Sequence, residues 1–151
     1  MIYIAYPSKS PEDIKAVFEK LKKTFEVTTP EDRHKLPKNK FADESEKLLK
    51  ESSIFIAEAS EKSAGLEIET KWAHENEVPI LLFVKFGKGY PDKLKDFYLK
   101  VIKYSTAEDL GIKTTKFLNE EFETESKQES FEYSDKKQYK SYKRGWERKY
   151  K

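Results

Sequence analysis

Short unbroken apolar runs alternate along this chain with longer segments in which apolar residues recur every three or four positions. Ile2–Ala5, Ile54–Ala57 and Pro79–Val84 are runs of the first kind. Strands covered on both faces lose the polar half of their alternation, so such runs read as buried strands of a parallel sheet. Between the last two runs, residues 65–77 carry a helical pattern, which makes 53–86 a strand–helix–strand crossover. The rest of the chain is organised around that unit.

The same pattern orders the remaining elements. Ser10-Pro11-Glu12-Asp13 is a helix start, with Ser10 as N-cap, proline at the first helical position and acids in the first turn. Ile14, Val17, Phe18, Leu21 and Phe25 give that helix its stripe. Residues 25–28 form a short second strand, and 29–40, with two prolines and little apolar content, reads as a loop. Residues 41–51 form a helix with Leu48 and Leu49 inward. After the crossover come a loop at 87–91, a short helix over 92–99, a fifth strand over 101–104, and a helix from Ala107 to about Phe122. Right-handed crossovers place helices on both faces of such a sheet. The expected fold is α/β, a doubly wound five-stranded parallel sheet of flavodoxin or Rossmann type, strand order 2-1-3-4-5. Residues 1–118 form the domain and 119–151 a charged C-terminal extension.

Composition narrows the chemistry. With 151 residues, one domain buries roughly 70% of its unfolded surface. Cysteine is absent, which excludes disulfides and thiolate chemistry. The two histidines, His34 and His74, are too few for a histidine-based metal site without carboxylate help. No metal and no cofactor is expected. The N-terminus enters an apolar strand without a charged leader, and no run approaches the ~20 residues of a membrane span, so a cytoplasmic protein without membrane contact is expected. The net charge of +2 does not call for nucleic acid.

The crossover helix carries one carboxylate that its own helix does not explain. Ile68 and Trp72 form the predicted sheet-facing stripe, and Glu67, Lys71 and Glu75 a row of alternating charge on the solvated face. Glu69 belongs to neither. Its neighbours three and four positions away are Gly65, Leu66, Trp72 and Ala73, so no cation on the same helix partners it. It is either a surface glutamate or a functional group.

Ala57-Glu58, then Ser63-x-Gly65, then Glu69 and Ala73 resemble a segment of the nucleoside 2-deoxyribosyltransferase superfamily, which includes the deoxynucleoside 5'-monophosphate N-glycosidases. The resemblance extends loosely over residues 2–105. It implies that Glu69 is the nucleophile of N-glycosidic bond cleavage, through a covalent ester and an oxocarbenium-like transition state. It places Ser63 near the substrate phosphate or sugar, and it implies a homodimer. Three positions depart from the pattern. The assisting aspartate expected 24 positions ahead of Glu69 is Ser45, which leaves Asp43 as the stand-in. The glycine-rich loop after the first strand is Tyr6-Pro7-Ser8-Lys9-Ser10, and a second glycine of the Ser-x-Gly loop is Glu67.

In an open parallel sheet, ligands bind where the strand order reverses, beyond the carboxyl ends of strands one and three. That point gathers Tyr6, Ser8 and Lys9 with Glu58, Ser63 and Gly65. The start of the crossover helix favours an anion there, and Ser8, Lys9 and Ser63 add donors. Tyr6 either stacks on a base or sugar or packs in the core. The expected partner is a nucleoside or nucleotide, acted on by a deoxyribosyltransferase-like N-glycosidase or transferase. The alternatives are a nucleotide-binding protein that has lost catalysis and a nucleic-acid-associated protein. Residues 119–135 carry seven acids against one lysine, and 136–151 carry eight Lys or Arg against one glutamate, with Tyr139, Tyr142, Trp146 and Tyr150 interleaved. That basic aromatic stretch either binds nucleic acid by phosphate pairing and stacking or docks on the domain or a partner subunit.

Overall fold

A computed structural model of the protein describes residues 1–97 and 100–122, so the extension beyond 122 and the predictions made for it lie outside the described residues. The strands are β1 (Ile2–Ala5), β2 (Val27–Thr28), β3 (Ile54–Glu58), β4 (Ile80–Lys85) and β5 (Lys100–Tyr104). All pair in parallel, in the order β2-β1-β3-β4-β5. The helices are α1 (Glu12–Lys20), α2 (Pro30–Arg33), α3 (Phe41–Lys50), α4 (Ala64–Glu75) and α5 (Ala107–Lys116). A π-helical turn over Phe117–Phe122 follows α5.

Alternation along each strand divides the apolar residues between two cores. Ile2, Ile4, Ile54, Ile56, Leu81 and Phe83 pack with Ile14 and Phe18 of α1 and Leu110 of α5. Tyr3, Ala5, Phe55, Ala57, Leu82 and Val84 pack with Leu49 of α3 and Leu66 and Ala73 of α4. Both faces of β1, β3 and β4 are therefore buried, which is why these strands read as continuous apolar runs.

Five local expectations are corrected. Segment 29–40 is not simply a loop: the Thr29 N–H donates to Asp32 at 3.1 Å and the Thr29 hydroxyl to Glu19 at 2.7 Å, starting α2. Helix α1 begins at Glu12 with Pro11 rather than Ser10 at its cap. The inward face of α4 is Leu66, Thr70 and Ala73, whereas Ile68 is 50% exposed. Thr70 enters the core because its hydroxyl donates to the Leu66 carbonyl at 2.7 Å, which removes the cost of burying a polar group. Glu67 is not simply solvated: its Oε2 faces Lys93 at 3.6 Å and its Oε1 is buried without a hydrogen bond. Within 92–97 the helix is one 3-10 turn, Asp92–Leu94.

Candidate active site

Two groups of polar residues lie at the positions the sequence singles out, one on each side of the sheet's upper edge. The first surrounds an open cavity of about 890 Å³ beyond the carboxyl ends of β1, β3 and β5. Ser8, Lys9, Glu58 and Ser63 all line it, joined by Lys85 and Tyr104. The reversal of strand order does bring the loops after β1 and β3 together. Tyr6 and Gly65 are not part of this lining. Tyr6 stacks on Phe18 with ring centroids 5.8 Å apart, and its hydroxyl is buried without a partner. Burial, followed by the nearby Glu31 and Glu19 carboxylates, pushes its phenol up to about 12. Gly65 is exposed, and a Cβ added there would meet only Ser63 Oγ at 3.8 Å, so space does not demand a glycine.

Glu58 forms the floor. Only 3% exposed, it accepts through Oε1 from the Ser60 amide at 3.1 Å, from the Ser60 hydroxyl, and from the Tyr104 hydroxyl at 3.1 Å. Ser60 Oγ in turn accepts from the Lys85 amide at 2.8 Å, which ties the β3 loop to β4. Burial first, and then the Glu58 charge, hold the Tyr104 phenol well above its usual range. Ser63 caps α4 by accepting from the Leu66 amide at 3.3 Å.

The second group is centred on Glu69, on the α3–α4 side. Its Oε2 accepts a hydrogen bond from the Tyr3 hydroxyl and lies 3.6 Å from Nη2 of Arg33. Both contacts fall on Oε2, and Oε1 receives no hydrogen bond among the described residues. The side chain keeps 20% of its exposure. Burial raises its pKa above the ordinary carboxylate range, and the Arg33 charge and Tyr3 hydrogen bond, which act the other way, do not cancel it. The same burial, reinforced by the Glu69 charge, drives the Tyr3 phenol far above its usual value.

Sequence reasoning assigned Glu69 no partner on its own helix, and that is what the structure shows. It did not find Arg33, which arrives from α2, nor Tyr3, which lies inside a core strand. Arg33 is 3% exposed. Its Nη1 donates to the Thr28 carbonyl at 3.1 Å and its Nη2 to the Ile4 carbonyl at 2.6 Å, while the guanidinium lies 3.9 Å from the Tyr3 ring centroid. Strand β2 pairs only with Ile2 and Tyr3, so the guanidinium serves a carbonyl of β1 just past the end of that pairing. The only signal in the sequence was a cation at the end of Thr29-Pro30-Glu31-Asp32, a helix-start pattern read as loop.

Ser45, at the register of the expected aspartate, faces inward from α3 and is 2% exposed. Its hydroxyl lies where it acts on the Tyr3 phenol, yet Oγ completes no hydrogen bond. Asp43 is exposed about half a turn away on α3, and no hydrogen bond or ion pair joins it to Glu69. Among the described residues no three His, Asp or Glu side chains gather as a metal site, and no helix is long and apolar enough to cross a membrane.

No protein-family model and no curated protein matches the sequence. Solved structures do match. A CMP N-glycosidase from Clostridium botulinum aligns with a TM-score of 0.60 at 22% identity, over 78% of this chain and 98% of its own. A 2-deoxyribosyltransferase from Bacillus psychrosaccharolyticus aligns with a TM-score of 0.56 at 18% identity, over 73% of this chain and 89% of its own. The chain has a nucleoside 2-deoxyribosyltransferase-like fold.

Proposed function

We propose that this protein cleaves or exchanges the N-glycosidic bond of a nucleoside or nucleotide, with Glu69 as nucleophile. The observation that carries the reading is the asymmetric Glu69 carboxylate: Oε2 is held by Tyr3 and faces Arg33, while Oε1 is unengaged. A nucleophile needs one oxygen fixed and the other free. The two structural neighbours act on CMP and on deoxyribosyl groups, which supports the same substrate class here.

In this reading Oε1 forms a bond to the anomeric carbon as the carbon–nitrogen bond breaks. The bonding pair leaves on the base nitrogen, which takes a proton from water. Water then adds to the glycosyl carbon and releases the free sugar and the Glu69 carboxylate; a second base in place of water gives transfer. Ser8, Lys9 and Ser63 would receive a phosphate at the start of α4, where unpaired N–H groups and the helix dipole favour an anion. Glu58 would accept from a ligand hydroxyl or amine, since all its present bonds use Oε1. Ser63 and Glu69 share one helix, about 9 Å apart along its axis.

Ser45 favours a second reading, in which the site binds a nucleotide without turning it over, because the residue that would assist the leaving base is not an acid. One experiment separates the two. The protein is incubated with ribo- and deoxyribonucleosides and their monophosphates, and free base is followed by chromatography. Release that disappears in Glu69→Ala supports the enzyme. Ligand-dependent thermal stabilisation with no free base supports the binder.

A further inference from the structure

We infer that Arg33 is a positioning residue for Glu69, a fixed counter-charge that keeps the carboxylate ionised and Oε2 turned away from the reacting carbon. The role rests on the glycosidic reading above; the contact itself does not.

The geometry carries the inference. A buried arginine is costly unless its donors find acceptors, and here both terminal nitrogens have one, which leaves it little freedom. One terminal nitrogen is taken by the Thr28 carbonyl and the other by the Ile4 carbonyl, while the guanidinium plane lies against the Tyr3 ring. Its backbone is held as firmly. It closes α2, whose first turn is tied to α1 through Thr29 to Glu19 at 2.7 Å and to the 3-10 turn after α1 through Lys22 to Asp32 at 2.7 Å. A guanidinium so placed acts as a point of reference. It cannot follow Glu69, so Glu69 must orient to it.

The Nη2–Oε2 distance of 3.6 Å is longer than a hydrogen bond, so the contact is an ion pair without a shared proton. The short-range bond to Oε2 comes from Tyr3, which Arg33 itself stacks against. Arg33 therefore acts on the carboxylate by charge and on the phenol by contact. Among the described residues, the charged and titratable groups acting on Glu69 are Arg33 from α2 and Tyr3 from β1; the neutral Ser45 of α3 lies beside the Tyr3 phenol. Burial favours the protonated acid, which cannot attack. The Arg33 charge opposes that, with the Tyr3 hydrogen bond beside it.

The test is direct titration of the Glu69 carboxyl by carbon-13 NMR, its signal identified by its loss in Glu69→Gln. It is run on the wild type, on Arg33→Met, and on Arg33→Gln, which removes the charge while keeping a polar amide. The expected result is an upward move of the midpoint by about one pH unit or more in either folded variant, with the acid limb of any kcat/KM profile moving equally. Arg33→Lys, which restores charge, should move it back towards the wild type. An unchanged midpoint in a folded, charge-free variant overturns the inference. So does a wild-type midpoint above neutrality, which needs no variant to fold. Absence of base release together with the expected midpoint shift would remove the glycosidic reading and leave the effect of Arg33 on Glu69 standing.

Discussion

Tyr3 and Glu69, 66 positions apart in the chain, meet in a hydrogen bond that crosses from β1 to α4. Ala5, Ala57 and Ala59 are buried in the core on the same face. The phenol is the donor and the carboxylate the acceptor, so the bond favours the ionised acid.

Tyr3→Phe removes that donor and little else, because the ring can keep its contacts with Phe55 and Arg33. A hydrogen bond to a charged group contributes about 1.5–3 kcal/mol. Base release by the variant should fall by roughly 10- to 100-fold, with the acid limb of the pH profile moved upward. Steady-state kinetics across pH checks both.

The raised pKa of Glu69 has a defined consequence for stability. The folded protein holds that proton more tightly than the unfolded chain, so this group's contribution is most favourable when it is protonated. It is lost as pH rises from about 4.5, the ordinary value, through the folded-state value. Glu69→Gln lacks this dependence. The unfolding free energy of the variant minus that of the wild type should rise across the same window and then level off. Urea titrations from about pH 4 to about pH 8 measure it.

Ser45→Asp returns a carboxylate to the position where the resemblance expects one. Its side chain would lie beside the Tyr3 phenol, in a place now held by an unbonded hydroxyl. A positioned acid contributes about 10²–10⁴-fold to a proton transfer. We expect base release to rise at least about tenfold, together with some loss of stability from the second buried acid. Paired kinetics and thermal melts test this.

Much of the fold was legible because the strands carry their burial in plain form. Ile54–Ala57 is apolar at every position for the reason that α1 and α5 cover one face and α3 and α4 the other. The reversal between β1 and β3, and the gathering of Ser8, Lys9, Glu58 and Ser63 around one cavity, follow from strand order alone. The surroundings of Glu69 were not legible. Tyr3 is apolar core by pattern, and only its hydroxyl, at the far end of the ring, is chemical. Arg33 is buried against carbonyls that are left for it because β2 is two residues long, and strand length is the weakest thing a pattern reports. The inward face of α4 was misread because Thr70 hides its hydroxyl on its own helix, whereas Ile68 stands 50% exposed.

The cavity makes its own prediction. Lys9 is exposed on the loop that lines it and contributes charge without holding the fold. Lys9→Ala should raise KM for a monophosphate several-fold, by the roughly 1 kcal/mol of a lost exposed ion pair, and leave KM for the unphosphorylated nucleoside unchanged. Comparing the two substrates isolates the phosphate.

In the proposed reaction the free oxygen of Glu69 bonds to a sugar carbon. Acid-quenched reactions with nucleoside monophosphates, digested and mapped by mass spectrometry, address it most directly. A glycosyl phosphate adduct is expected on the peptide bearing Glu69, absent in Glu69→Gln and accumulated when the second step is slowed. Free base released at full rate by Glu69→Gln, or an adduct on any other residue, would contradict it.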